Sequence, residues 1–290
     1  MKKVIITVLC LFSATLIFAQ TGSAKPSVTG KILLSNGQKI VVESNVTIEA
    51  NLSMGMQLNS NSTYENLLEV KNNTDKNYTI SSTLTKLKVN MNMMGQPTNY
   101  DSEKKESNNS DIAKTFDKKL NKPVDVSLDK ITGIATTDKK EVKSETKSKE
   151  TDEENPIQGL LGMFAESSDD AVVSGAFELI PQGKGIGESW SDSTVAKDMK
   201  TVRTYTLRSI TDNEAVIQLD AVITATNKLE LQGMEMEFKS NTKTTGEIIT
   251  DISTAQVKKK TTKSDITGSF QLMGQDVPIT ATASTTSTYK

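Results

Sequence analysis

The chain has 290 residues, with 34 basic and 36 acidic side chains, a net charge of −2 and no histidine. That balance offers no positive field for nucleic acid or an anionic membrane surface, and Arg203 and Arg208, the only arginines, leave few bidentate grips for phosphate. With Cys10 the only cysteine, the usual general base at neutral pH, the thiolate nucleophile and the commonest zinc ligands are missing, so composition excludes most hydrolase constellations.

Residues 1–19 read MKKVIITVLCLFSATLIFA, in which Lys2 and Lys3 precede an apolar run from Val4 to Ala19. This is the order of a secretory signal peptide. The run is shorter than the roughly 20 apolar residues of a membrane span, so cleavage is expected before Gln20, with export to the periplasm or out of the cell. Cys10 lies inside the run, which argues against a lipid anchor there. No second apolar stretch of spanning length follows, and an integral membrane protein is not expected. The exported chain would carry no disulfide, and it is long enough to bury a core without one.

From Ile40 the apolar residues fall on even numbers: Ile40, Val42, Val46, Ile48, Ala50, Leu52, Met54, Met56 and Leu58. Period two over such a length means extended chain with one buried face. Ile80 and Leu84 continue on even numbers, but Leu87, Val89, Met91 and Met93 fall on odd ones. A bulge or bend between Leu84 and Leu87 would restore a single buried face. A shorter alternation follows at Val124, Val126 and Leu128.

Residues 138–155, DKKEVKSETKSKETDEEN, hold five lysines and seven acidic residues and are expected to be a disordered charged linker. In PIQGLLGMFAE, which follows, Ile157, Leu160, Leu161 and Phe164 recur at helical spacing behind Pro156, predicting one short helix docked on a sheet. Asp169 and Asp170 in ESSDDA are expected in a solvated loop. GKGIGESW, Gly183 to Trp190, departs from both the dinucleotide fingerprint and the phosphate loop, and strand-like sequence follows it. It reads as a turn that delivers the only tryptophan to a sheet. Alternation returns on odd numbers from Ala215 to Ala225, on even numbers at Met234, Met236 and Phe238, and near the end at Val277, Ile279, Ala281 and Ala283.

The flanks of the charged stretch share an order of features. Thr63-Tyr64 and Thr204-Tyr205 each open a strand region, Gly95 and Gly233 each precede a serine, Ser102 and Ser240, at the same spacing, and Asp129 and Asp251 each stand before an apolar strand start and a lysine-bearing tail. Such parallels suggest a tandem duplication. The fold class expected is therefore mainly β: two similar antiparallel, curved sheet domains, with the lipoprotein-carrier-like half-barrel as one form of them, one short helix and a charged linker. Residues 1–19 are the signal, 20–137 the first β domain, 138–155 the linker, and 156–290 the second β domain with its short N-terminal helix.

No catalytic constellation, cofactor motif or calcium loop stands out, so catalytic, cofactor-binding and metal residues are all expected to be none. The methionines are the remaining pattern. Thioethers are soft ligands for copper(I), yet each pair continues the parity of an apolar face, which favours core filler or pocket lining. Met54, Met56, Met91, Met93, Met234 and Met236 are accordingly the candidate lining for an apolar ligand.

The signal peptide, the first half ending near PTNYDSEK, the charged spacer, and then FELIPQGKGIGESW and TYTLRSITDNEAVIQL together resemble an uncharacterised family of exported bacterial proteins that carries a β-rich domain of unknown function. The resemblance implies a fold and a location and assigns no activity to any residue. Two non-enzymatic functions follow. One is a binding or carrier module of the bacterial envelope that holds a lipid or other apolar ligand on a concave sheet, in analogy with periplasmic lipoprotein-carrier folds. The other is a structural or interaction protein whose partner is an envelope macromolecule.

Overall fold

A computed structural model of the protein describes residues 30–52, 56–93, 95–104, 116–137, 168–196, 198–231, 234–272 and 275–290. The expected signal peptide, the charged linker and the helix expected after Pro156 lie outside these residues. The described chain forms β1 (Lys39–Leu52), β2 (Met56–Asn73), β3 (Asn77–Met93), β4 (Gln96–Asp101), β5 (Val124–Asp129), β6 (Ala135–Thr137), the helix α1 (Asp169–Gly175), β7 (Ser189–Ala196), β8 (Met199–Thr211), β9 (Glu214–Leu231), β10 (Met234–Asp251), β11 (Val257–Leu272) and β12 (Gln275–Tyr289).

The mainly β, antiparallel architecture read from the alternation is what the chain adopts. The two halves are continuous, however, in one 12-stranded sheet of order β6-β5-β3-β2-β1-β12-β11-β10-β9-β8-β7, with β4 on β3 beside β5. The seam is β12 against β1, in register from Val42↔Tyr289 to Leu52↔Ile279. Alternation specifies which face of a strand is buried but not which strand is its neighbour, so nothing local announced that the last strand would join the first.

Period two sets the buried face, here called the inner face. The parity switch in β3 is resolved by a bulge: Glu65 pairs with Lys86 while Asn66 pairs with Leu84. The skipped residue, Thr85, donates its hydroxyl to the Glu65 carbonyl at 3.0 Å and to its carboxylate at 2.8 Å. Leu87, Val89 and Met91 thereby return to the side of Tyr78 and Ile80, and all five are buried.

The sheet curls around a plug. Laid flat, its ten strand spacings of about 4.8 Å would span roughly 48 Å, whereas residues 169–180 cover less than about 30 Å. Yet this short segment bonds to strands six places apart in the sheet, β6 and β11. The Ser82 hydroxyl on β3 donates to Asp169 Oδ1 at 2.8 Å, and the Ala135 N–H on β6 donates to Ser174 Oγ at 2.9 Å. Val257 N–H on β11 donates to the Ala176 carbonyl, and Glu178 N–H to the Ala255 carbonyl, both at 2.9 Å. Val173, Ala176, Phe177 and Ile180 of the plug bury themselves against inner-face residues from both halves, Ile80, Val126 and Leu128 with Leu207, Ile217 and Ile248. Asp169 and Asp170, expected in a solvated loop, instead open α1, where carboxylates complement the helix N-terminus.

GKGIGESW is a turn. Gly183 and Gly187 take positive φ, 81° and 85°, which glycine adopts without strain, and Lys184 Nζ is bound to the Ser189 carbonyl at 2.7 Å. The turn sets Trp190 half-buried against the core, stacked on Tyr205 with ring centroids 5.5 Å apart. SNGQKI, Ser35 to Ile40, is built the same way. Gly37 N–H donates to the Val70 carbonyl at 2.8 Å and Val70 N–H to the Gln38 carbonyl at 2.9 Å, as Gly187 does to Leu207 (2.7 Å) and Leu207 to Glu188 (3.1 Å). This places Ile40 opposite Leu68 in the first half where Trp190 stands opposite Tyr205 in the second.

Candidate functional site: the inner-face trough

The inner face divides into three bands along the strands. At the base, apolar residues meet the plug and are buried. In the middle small and hydroxyl side chains, Ala283 and Thr285 on β12, Thr262 and Ser264 on β11, Thr242 and Thr244 on β10 and Ala225 on β9, alternate with the larger Val46 and Ile48 on β1 and Ile223 on β9. At the hairpin tips apolar residues return, with Phe238, Val277, Ile279 and Leu58 buried.

The middle band is half-buried, and the described helix α1 packs mainly elsewhere, against β3, β5 and β6. On the outer face of the same strands, Thr224, Asn241, Lys243, Thr245, Lys263, Asp265 and Thr267 are exposed. Curvature explains the contrast, because a curled sheet shields its concave side even where no described element covers it. The result is a trough, apolar at both ends and lined on β10, β11 and β12 by small residues between. Its walls hydrogen-bond to themselves, Ser44 to Ser287 at 2.7 Å and Thr244 to Ser264 at 2.8 Å.

Of the six candidate methionines, Met54 lies outside the described residues. In the backbone register Met93 pairs with Leu58, Met56 with Leu52, Met236 with Leu229 and Met234 with Leu231, toward the hairpin-tip ends of their strands. Met91 is buried, 3% exposed, in a cluster with Leu58, Leu87, Val89 and Tyr100, over which Phe116 and Leu120 are packed. Tyr100 meets the Phe116 ring at 5.1 Å and donates its hydroxyl to Asp117 at 2.6 Å. That corner of the tip end is covered. The described methionines of both halves lie in one sheet, on β2, β3 and β10.

Charged groups also occupy the inner face, and the alternation did not single them out. Arg203 on β8 and Asp192 on β7 are cross-strand partners, with an N–O separation of 3.0 Å, and the buried Tyr205 donates its hydroxyl to Asp192 at 3.2 Å. Deeper, Lys260 on β11 sits in register with the buried Ile248 and Ser287. Glu178 approaches it from the plug. Burial pushes the Glu178 carboxyl up to about 7 against the pull of Lys260, with Asp192 adding to the rise and Arg203 opposing it. Burial also lowers the Lys260 ammonium, partly offset by Glu178. Neither side chain has a hydrogen bond or contact ion pair among the described residues. One signal was available in sequence: Arg203 keeps the parity of Tyr205 and Leu207, so a charge stands in line with a buried face.

Among the described residues no three histidine, cysteine, aspartate or glutamate side chains stand together as a metal site, and no helix is long and apolar enough to cross a membrane.

These features define a mainly β protein whose open, curled antiparallel sheet is closed at one end by a helical plug. The chain belongs to the family of unknown function DUF6263, whose profile matches residues 75–257, more than half of its length and both halves of the sheet. No curated protein matches the sequence. Three solved structures align with the chain. A structure of lipid–protein interactions in lipovitellin aligns at 9% identity with a TM-score of 0.48, over 89% of this chain and 25% of its own, so this chain spans about a quarter of that protein. The COG4313 outer membrane channel of Pseudomonas putida F1 aligns at 9% identity and a TM-score of 0.22, covering 89% of this chain and 97% of its own. Pseudomonas aeruginosa OccK5 (OpdH) gives 6% identity and a TM-score of 0.23, covering 88% and 98%. Likenesses at this level carry nothing about what this chain binds.

Proposed function

We propose that the protein is a non-enzymatic component of the bacterial envelope, exported to the periplasm or beyond, that binds an apolar ligand such as a lipid in the inner-face trough. The observation that carries this reading is the middle band: small side chains on a concave face, half-buried and away from the main packing of α1, between two apolar ends. On β10, β11 and β12 this band is threonine, serine and alanine only, which suits the small wall of a channel for a chain-like ligand better than a packed core. Uncovered concave surface flanked by apolar residues is where ligands bind. The run from Lys2 to Ala19 supports export. Purifying the protein from its native envelope and extracting it with organic solvent should release lipid detectable by mass spectrometry. A lipid-free extract, together with no uptake of a fluorescent fatty acid, would remove the reading.

A second reading has an observation of its own. Val195, Met199, Val202 and Val222 are 75%, 43%, 38% and 44% exposed beside the free edge of β7, and an edge strand with apolar neighbours is a place where another chain adds. Chemical cross-linking in the native envelope that captured a partner through this edge, with the trough empty of lipid, would favour a structural or interaction protein.

A further inference from the structure

We propose that Lys260 and Arg203 hold the anionic head group of a single-chain amphiphile whose chain runs along the trough toward the hairpin tips. The inference rests on the ligand-binding reading above and names the ligand's polar end.

Three observations converge. First, the charges are not placed for stability. The matched turns align Ile40 and Leu68 with Trp190 and Tyr205, and the next inner-face pair along the strands is Val42 and Asn66 in the first half but Asp192 and Arg203 in the second. The backbone of the first half therefore folds without charges at this level, whereas the second half places there an ion pair that is 38% (Arg203) and 49% (Asp192) exposed and contributes little to stability. Second, the partners are incomplete. Asp192 answers Arg203 and accepts the Tyr205 hydroxyl, but Lys260 and Glu178 make no hydrogen bond or contact ion pair among the described residues. No buried side-chain nitrogen or oxygen among the described residues is left without a partner, so the Lys260 ammonium is open to the trough, where an anion can supply its acceptor. Third, the geometry fits a chain. Arg203 stands level with Ala221, Thr244 and Ser264 across β9, β10 and β11. From Ser264 to Phe270 is six residues, about 20 Å, the length of a sixteen-carbon chain, and Ile266, Ala281 and Ile279 line the way on β11 and β12.

The charge balance selects an anion. Arg203 and Asp192 neutralise each other, leaving Lys260 facing Glu178, whose carboxyl takes up a proton near neutrality. When it does, the floor carries one uncompensated positive charge. An anionic head on Lys260 would favour that protonated state, so affinity should rise as pH falls from 8 to 6. The groups facing Glu178 are Lys260 from β11, Arg203 and Tyr205 from β8, and Asp192 from β7.

The test compares two probes of equal chain length, hexadecanesulfonate, whose charge is fixed over this range, and hexadecanol, by titration calorimetry with the exported chain below the micellar concentration. The sulfonate should bind about tenfold more tightly or better, the range of a charge-assisted contact, and the ratio should widen from pH 8 to pH 6. Lys260→Gln should bring the ratio to within about twofold, with an unchanged strand signal in circular dichroism showing that the variant is folded. Equal binding of the two probes by the unaltered protein overturns the head-group site and leaves the trough reading standing. A preference untouched by Lys260→Gln and by Arg203→Gln overturns it too. Binding of neither probe overturns the trough itself, and this proposal with it.

Discussion

The two halves of the sheet share a backbone and differ in what they place on it. Their shared geometry is detailed. Asp129 Oδ1 accepts the N–H groups of Ile131 and Thr132 and the Thr132 hydroxyl, and Asp251 Oδ1 accepts those of Ser253 and Thr254 with both hydroxyls. Four residues on, Gly133 and Ala255 both take positive φ, 68° and 62°. The pairing Asn77↔Asp129 and Ile80↔Val126 in one half has the form of Glu214↔Asp251 and Ile217↔Ile248 in the other. Both second strands carry a bulge after a buried apolar residue, Val70 and Leu207. Against so constant a frame, the replacement of Val42 and Asn66 by Asp192 and Arg203 shows what the frame does not require, and charges that a fold does not need are candidates for function.

The largest effect should come from the matched core residues Ile80 and Ile217, 1% and 0% exposed in a single cluster. Truncation of either to alanine should cost about 2–5 kcal/mol. Because β1 and β12 weld the halves into one sheet, both variants should lower the same unfolding transition by similar amounts. Two transitions in denaturant titrations, each sensitive to only one of the variants, would show that the halves are energetically separate despite the seam.

How much of this was legible in sequence depends on the range of the interaction. Alternation exposed the strands from Ile40 to Leu58 and from Ala215 to Ala225, and the parity switch located the Thr85 bulge, because side-chain direction is a local property. Asp129 and Asp251 were aligned correctly for the same reason: an aspartate that binds its own next few N–H groups is a local motif. Tyr64 and Tyr205 were aligned wrongly. The turn hydrogen bonds match Tyr205 with Leu68, and composition around each tyrosine is no substitute for register. The joining of β12 to β1 is a contact between the two ends of the chain, with no local trace. Lys260 was hidden in the run KKKTTK, where strand position alone decides which lysine faces inward.

A smaller effect separates the halves by pH. Burial first, and Asp192 with it, raises the Glu178 carboxyl to about 7 in the folded protein, from an unfolded value near 4.3. Between these values the folded state binds the proton more tightly, so stability from this group is fully present below the unfolded value and lost as pH rises toward 7. Glu178→Gln should flatten that decline and make the protein more stable at pH 8, by on the order of 1–2 kcal/mol for a half-buried group. Urea midpoints measured at pH 5 and pH 8 give the answer. A variant that kept the full slope would place the titration elsewhere.

The smallest effect tests the matched turns themselves. Asp129→Ala and Asp251→Ala each remove the acceptor that holds a tight turn between two strands, and each should cost about 1–2 kcal/mol, as loss of a helix cap does. Asp251 should cost more, since Ser253 contributes a hydroxyl at 2.5 Å that has no counterpart at Ile131. Both carboxyls are held below the usual value. At Asp129 the Thr132 N–H is the largest cause, whereas at Asp251 burial pushes up but is outweighed by the bonds from Ser253 and Thr254. A depressed carboxyl stabilises the fold above its unfolded value, near 3.9, and the contribution disappears as pH falls through the folded one. The two variants should therefore approach the unaltered protein in stability at pH 3 and diverge from it at pH 6. A cost that stayed constant across that range would mean that backbone strain at Gly133 and Ala255, rather than the aspartates, governs both turns.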